Sequence, residues 1–201
     1  MTAARRRAHV AAALLVTTLA MSSALTYARA TEPKVVGRLG FEGVWSMTYS
    51  PTANLVAVWS YYGDLRVLDG TTGAAVAMFP GAAGSPPAFS PDGRLVASSQ
   101  RGKQPTIAVW DVASGQEVAR LAGYANALAF SPDGAILAGN WAGITLWSVD
   151  TQEEAGTLEG HTRGVTSLAF TPDGNTLASG GNDGAIKLWD VAAAQEVGEL
   201  P

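Results

Sequence analysis

Ser90-Pro91-Asp92-Gly93, Ser131-Pro132-Asp133-Gly134 and Thr171-Pro172-Asp173-Gly174 recur at spacings of 41 and 40 residues, and a worn copy, Ser50-Pro51-Thr52-Ala53, lies 40 residues before the first. The tetrapeptide has the chemistry of a tight hairpin turn. Proline presets φ at about −65°, aspartate caps the turn with its side chain, and glycine takes the left-handed conformation that closes a bulged loop. Turn chemistry repeated at one period marks an array of like units.

Each turn joins two apolar runs. In the last copy these are Val165–Phe170 and Thr176–Gly180, and a third run, Ala185–Asp190, follows a second turn at Asn182-Asp183-Gly184. The third run has counterparts at Leu65–Asp69, Thr106–Asp111 and Ile144–Ser148, and a weaker fourth run closes each unit at Ala74–Phe79, Gln116–Leu121, Glu153–Leu158 and Gln195–Leu200. Four short strands per unit describe one blade of a β-propeller. No run carries the 3.6-residue apolar stripe of a helix, which excludes a solenoid of helix pairs. The expected fold is all-β: blades of four antiparallel strands in four repeats at about 34–69, 74–111, 116–148 and 153–190, with a final strand at 195–200.

The stretch from Gly160-His161 through Leu168-Ala169-Phe170, Leu177-Ala178-Ser179-Gly180 and Asp183-Gly184 to Leu188-Trp189-Asp190 resembles a near-consensus WD repeat. Val109-Trp110-Asp111 repeats the dipeptide, Leu146-Trp147-Ser148 keeps its Trp, and Val67-Leu68-Asp69 keeps its Asp. The resemblance implies a hydrogen-bonded relay of His161, Ser179, Asp183 and Trp189 that stiffens the last blade. Repeat two keeps Ser98 and Trp110 but has an insertion around Arg101–Pro105 in place of the Asp turn, and repeats one and three lack most of the set. The first three blades are therefore expected to rely on packing more than on polar networks.

Composition agrees with this class. The chain has 201 residues, 47% of them hydrophobic and only 15% charged, with 23 glycines, which excludes general disorder. Residues 1–30 read as a secretory signal: Arg5, Arg6 and Arg7, an apolar stretch Val10–Met21, and Ala28-Arg29-Ala30 as the cleavage site, leaving 31–201 as the propeller domain. The expected location is secreted or periplasmic, with anchoring by an uncleaved signal as the alternative and membrane contact only in that case. Beyond Ala30 the chain carries 17 acidic and nine basic residues, a formal charge of −8. It has no basic stripe to hold nucleic acid. With no cysteine there are no disulfides.

Catalytic and metal chemistry find little support. His161 is the one histidine after the signal, which argues against zinc or haem and predicts no cofactor. Ser179, His161 and Asp183 could be drawn as a catalytic triad, but a mid-strand serine in a small-residue run lacks the exposure a nucleophile needs. Asp150, Glu153 and Glu154 read as a solvated surface and not as a glycosidase pair. Asn182-Asp183-Gly184 lacks the further oxygen ligands of a calcium loop. Val67–Gly73 and Val109–Gly115 are also similar to blade-edge turns of exported quinone-cofactor dehydrogenase propellers, which use more blades and a cofactor pocket. No enzymatic activity is expected.

Function is then expected in loops carried by a rigid frame. Two loop sets open on one face of the blades and hold Tyr61, Tyr62, Arg101, Lys103, Tyr124, Trp141 and Arg163. Aromatics and arginine anchor protein interfaces, so a protein partner is the first expectation, with a small-molecule or glycan site as the alternative. Trp141 and Tyr62 could equally fill gaps left by the missing relay Asp. Closed propellers need about four to eight blades. A fourth-strand-like run at Lys34–Leu39 precedes the first repeat, and Leu200-Pro201 matches the register of Leu158-Glu159. Three arrangements are open: part of a larger propeller, two chains pairing into an eight-bladed ring as a homodimer, or a strained four-bladed ring.

Overall fold

Each repeated turn joins the first two strands of a four-stranded antiparallel sheet. In the computed structural model, which describes residues 43–60, 63–82, 84–100, 104–140 and 143–200, there are four such sheets. Blade 1 contains β1 (Val44–Ser50), β2 (Leu55–Ser60), β3 (Leu65–Asp69) and β4 (Ala75–Phe79); blade 2 contains β5 (Ala88–Phe89), β6 (Leu95–Gln100), β7 (Thr106–Asp111) and β8 (Glu117–Ala122). Blade 3 contains β9 (Leu128–Phe130), β10 (Ile136–Asn140), β11 (Ile144–Ser148) and β12 (Glu154–Leu158); blade 4 contains β13 (Val165–Phe170), β14 (Thr176–Gly181), β15 (Ile186–Asp190) and β16 (Gln195–Leu200). Every sheet pairs its strands in chain order, and the described residues contain no helix. The all-β expectation holds. The signal at 1–30 and the run Lys34–Leu39 lie outside the described residues.

The serine or threonine that opens each turn does more than the sequence reading assigned to it. Ser90 Oγ donates to Asp92 Oδ1 at 2.6 Å and accepts the Leu95 N–H at 2.9 Å. Ser131 and Thr171 repeat the arrangement on Asp133 with Ile136 and on Asp173 with Thr176. That hydroxyl is the first cause holding each turn carboxylate below its ordinary range. The glycines sit at φ 72°, 75° and 74°, where a side chain is strained. β5 is short because Pro86 and Pro87, just before it, have no N–H to give a ladder.

The Trp-Asp dipeptide has two separate structural reasons. The Trp position faces the preceding blade: Trp110, Trp147 and Trp189 are all buried in clusters that span two blades. The next residue caps the turn into the outer strand, where Asp69, Asp111 and Asp190 accept the N–H of Thr72, Ser114 and Ala193. Ser148 replaces the carboxylate in blade 3 and accepts from Thr151. A bulge falls at the Trp position of every outer pairing, between Val67/Leu68, Val109/Trp110, Leu146/Trp147 and Leu188/Trp189.

Three apolar clusters hold the array together. Ala57, Leu65, Val67 and Phe79 of blade 1 pack with Val96, Ala108 and Trp110 of blade 2. Ala97, Ile107, Val109 and Leu121 pack with Phe130, Leu137 and Trp147. Ala138, Ile144, Leu146 and Leu158 pack with Val165, Leu177 and Trp189. No cluster of the described residues joins blade 4 to blade 1, and the ring is not closed.

Candidate functional site

Blade 4 brings the four relay residues into one chain of hydrogen bonds. Trp189 Nε1 donates to Ser179 Oγ at 2.8 Å, and Ser179 Oγ lies 2.7 Å from His161 Nε2. On its other side the ring meets Asp183, with Nδ1 to Oδ2 at 2.9 Å and to Oδ1 at 3.1 Å. Donor counting sets the direction. Indole can only donate and carboxylate only accept, so in the neutral ring Nδ1 carries the proton toward Asp183 and Nε2 accepts from the serine hydroxyl. Asp183 also accepts the N–H of Thr162 at 2.8 Å and of Ala185 at 3.2 Å. The His161 bond above all, with these backbone donors, holds its carboxyl far below the ordinary carboxylate range.

The distances are those of a Ser-His-Asp triad, but the surroundings are not. Ser179 is 1% exposed, and its oxygen already accepts from Trp189. A nucleophile must be open to substrate and face oxyanion donors. Here the serine is buried and already bonded to the indole that completes the chain of bonds.

The other blades fill the equivalent positions differently. In blade 2, Ser98 stands where Ser179 stands in blade 4, and its hydroxyl bonds the Ala82 carbonyl at 3.0 Å and the Ser85 carbonyl at 3.2 Å. Trp110 there stacks on Phe79, centroids 5.1 Å apart. In blade 3 the serine position is Gly139, and a Cβ would meet Leu128, Ala125 and Trp147 at 2.9–3.0 Å, so apolar packing takes the relay's space. Tyr124 follows Gly123 as His161 follows Gly160. It is buried, and its hydroxyl donates to the Gly84 carbonyl of blade 2. Tyr124 was expected on an accessible rim; it is instead part of the joint between two blades.

Two further buried side chains tie blades to each other, and sequence reasoning passed over both. Ser99 Oγ donates to the Ala125 carbonyl at 3.0 Å and accepts the Ala125 N–H at 2.8 Å, joining blade 2 to blade 3. Asn140 Oδ1 accepts the Ala127 N–H at 2.7 Å, while its Nδ2 donates to the Val165 carbonyl of blade 4 at 2.6 Å. Both occupy the residue after the relay-serine position, on the opposite sheet face. Gln152 adds a tie at the outer edge, bonding Arg120 N–H and the Val118 carbonyl of β8. Blades 2 and 3 are thus joined by polar bonds in addition to the packing expected of them. The signal in the sequence is faint: a lone polar residue at the end of an otherwise small or apolar run.

Of the remaining interface candidates, Arg163 is exposed in the loop leading into β13. Tyr61, Tyr62, Arg101, Lys103 and Trp141 lie outside the described residues. The loop around Arg163 is fixed at both sides, by Thr162 N–H on Asp183 and by Asn182 N–H on the Gly164 carbonyl at 2.9 Å. Asp150, Glu153 and Glu154 are exposed at the β11–β12 turn. Among the described residues no three His, Cys, Asp or Glu side chains come close enough to share a metal ion. A cleft of about 320 Å³ opens beside the relay, lined by Gly143, Ile144, Leu158, Glu159, Gly160, His161 and Val165.

Comparison with known proteins agrees with this architecture. Residues 152–190 match the family model described as WD domain, G-beta repeat. Target of rapamycin complex subunit wat1 of Schizosaccharomyces pombe is 37% identical over 95 residues, covering 44% of this chain and 30% of that protein. The small ribosomal subunit protein RACK1 of the same organism is 36% identical over 115 residues, covering 51% and 36%. Anaphase-promoting complex subunit cdc20 of Dictyostelium discoideum is 36% identical over 90 residues, covering 43% and 18%. The chain thus spans about a third or less of the length of these relatives. Blade 4 thus matches a WD repeat, and the same strand order recurs in all four sheets of the described residues.

Proposed function

We propose that the chain is an exported, non-enzymatic scaffold that holds a protein partner on the end of its blades where the His161–Asp183 pair lies. The observation that carries this reading is Arg163, an exposed guanidinium on a loop pinned from both sides. A preorganised loop loses little freedom on binding, and arginine is a favoured interface anchor. In the sequence Tyr61, Tyr62, Arg101, Lys103 and Trp141 come after β2, β6 and β10, as Asp183 comes after β14. Relatives named as subunits of a complex or of a ribosome favour a scaffold over an enzyme. Export rests on the Arg5–Arg7 head, the Val10–Met21 stretch and the Ala28-Arg29-Ala30 site.

The test is affinity capture with the full chain against the variant Tyr62→Ala/Arg101→Ala/Trp141→Ala/Arg163→Glu, with Arg94→Ala at the opposite end as control. Loss of the captured partner by about tenfold or more is expected for the multiple variant alone. An unchanged partner set would remove the reading. Export is read separately, by N-terminal sequencing of the released protein, which is expected to begin at Thr31. A small-molecule or glycan ligand is the second reading, favoured by the cleft beside His161. Thermal stabilisation by a glycan or small-molecule panel, abolished by Gly143→Trp, would select it.

A further inference from the structure

The four blades supply an internal control on what each face is built to touch. On the face turned toward the following blade, Leu65, Ile107 and Ile144 are fully buried, yet Ile186 at the same position of blade 4 is 44% exposed. Phe79, Leu121 and Leu158 are 1–2% exposed, and Leu200 is 50% exposed. Ala57, Ala97 and Ala138 are buried, while Ala178 is half-buried, as is Leu188 against buried Val67, Val109 and Leu146. One row of apolar side chains is therefore made four times and covered three times. In each covered case the covering surface is the opposite face of a blade. Phe89 and Val96 cover blade 1, Phe130 and Leu137 cover blade 2, and Phe170 and Leu177 cover blade 3.

The chain carries one more face of that covering type. At the equivalent positions of blade 1, Tyr49 is 40% exposed and Met47 and Val56 are half-buried, whereas Val96, Leu137 and Leu177 are fully buried. We propose that the outer face of blade 4, centred on Ala178, Ile186, Leu188 and Leu200, docks on blade 1 of a second copy of this chain, and reciprocally. Chemistry favours this occupant, since the chain itself presents the matching apolar face. A head-to-tail contact grows without limit unless a rotation closes it. Two copies of the four described blades make eight, within the range that propellers adopt.

Sedimentation velocity on the full chain at micromolar concentration is expected to give twice the chain mass. Ile186→Asp/Leu200→Asp should return it to the monomer. Both side chains are exposed in the single chain, so the blades stay folded, which unchanged tryptophan fluorescence and circular dichroism would verify. The chain has no cysteine, so a second readout is clean. Ala178→Cys and Val56→Cys, mixed under oxidising conditions, should form a covalent dimer that neither forms alone. A wild-type monomer, a dimer indifferent to Ile186→Asp/Leu200→Asp, or a double-cysteine chain that closes on itself would each overturn the proposal.

Discussion

Gly181 leaves the space that the His161 imidazole occupies: a Cβ on Gly181 would stand 2.5 Å from Nδ1 and 2.5 Å from Asp183 Oδ1. The pair therefore exists only because the last residue of β14 has no side chain. Gly181→Ala should displace the ring, break the bonds to Ser179 and Asp183, and destabilise the chain by about 1–3 kcal/mol, the range of overpacking in a tight site. Denaturant unfolding measures the loss. A change in histidine Nδ1 and Nε2 chemical shifts would tie it to the relay.

Acid should act through Asp183. Its carboxyl is held far below the ordinary range by His161, Thr162 and Ala185, so the folded state favours the ionised form more than the unfolded chain does. Stability from this group is complete above the ordinary carboxylate value of 3.8 and is lost as pH falls below it. Asp183→Asn removes that dependence. Melting temperatures of the two proteins are expected to differ most near neutral pH and to converge toward pH 2.

Asn140 should matter more than its small size suggests. Replacing it with alanine strands the Ala127 N–H and the Val165 carbonyl. A buried polar group left without its partner costs about 1–3 kcal/mol. Asn140→Ala is expected to fall in that range or slightly above it, and Ser99→Ala near its lower end. Hydrogen exchange should show faster opening of β13 in the first variant and of the residues leading into β9 in the second.

The turn into each outer strand passes through the left-handed region at one residue: Gly73 at φ 71°, Gly115 at 71°, Gln152 at 61° and Ala194 at 52°. Blade 4 thus places an L-residue where two other blades place glycine. Ala194→Gly relieves a conformation that costs roughly 1–2 kcal/mol per residue, less the added freedom of the unfolded chain. The expected net gain is about 0.5–1 kcal/mol. Gly115→Ala should move stability the other way, which thermal unfolding of both variants would check.

Strand boundaries were legible because they depend on local chemistry. The runs Thr106–Asp111 and Ile144–Ser148 coincide with β7 and β11, and Gln195–Leu200 with β16. Proline, glycine and capping side chains fix where each run stops, and they act within a few residues. The relay was legible too, since its four members keep a pattern inside one repeat. Tyr124 was placed on the wrong surface and Ser99 and Asn140 were passed over, because their partners belong to the neighbouring blade. An aromatic in a loop and a polar residue at a strand end look alike in sequence whether they meet solvent or another blade.

The sequence by itself therefore determined the four blades of the described residues, the strands within each, and the relay of blade 4. Period, turn chemistry and residue pattern are all contained in a single repeat of about forty residues. Only the tertiary structure decided what each blade touches. It buried Tyr124, put Ser99 and Asn140 across blade boundaries, and left Ile186 and Leu200 uncovered. The apolar row that contains Ile186 is nearly the same in all four copies. Its burial depends on what packs against it, which no single repeat encodes.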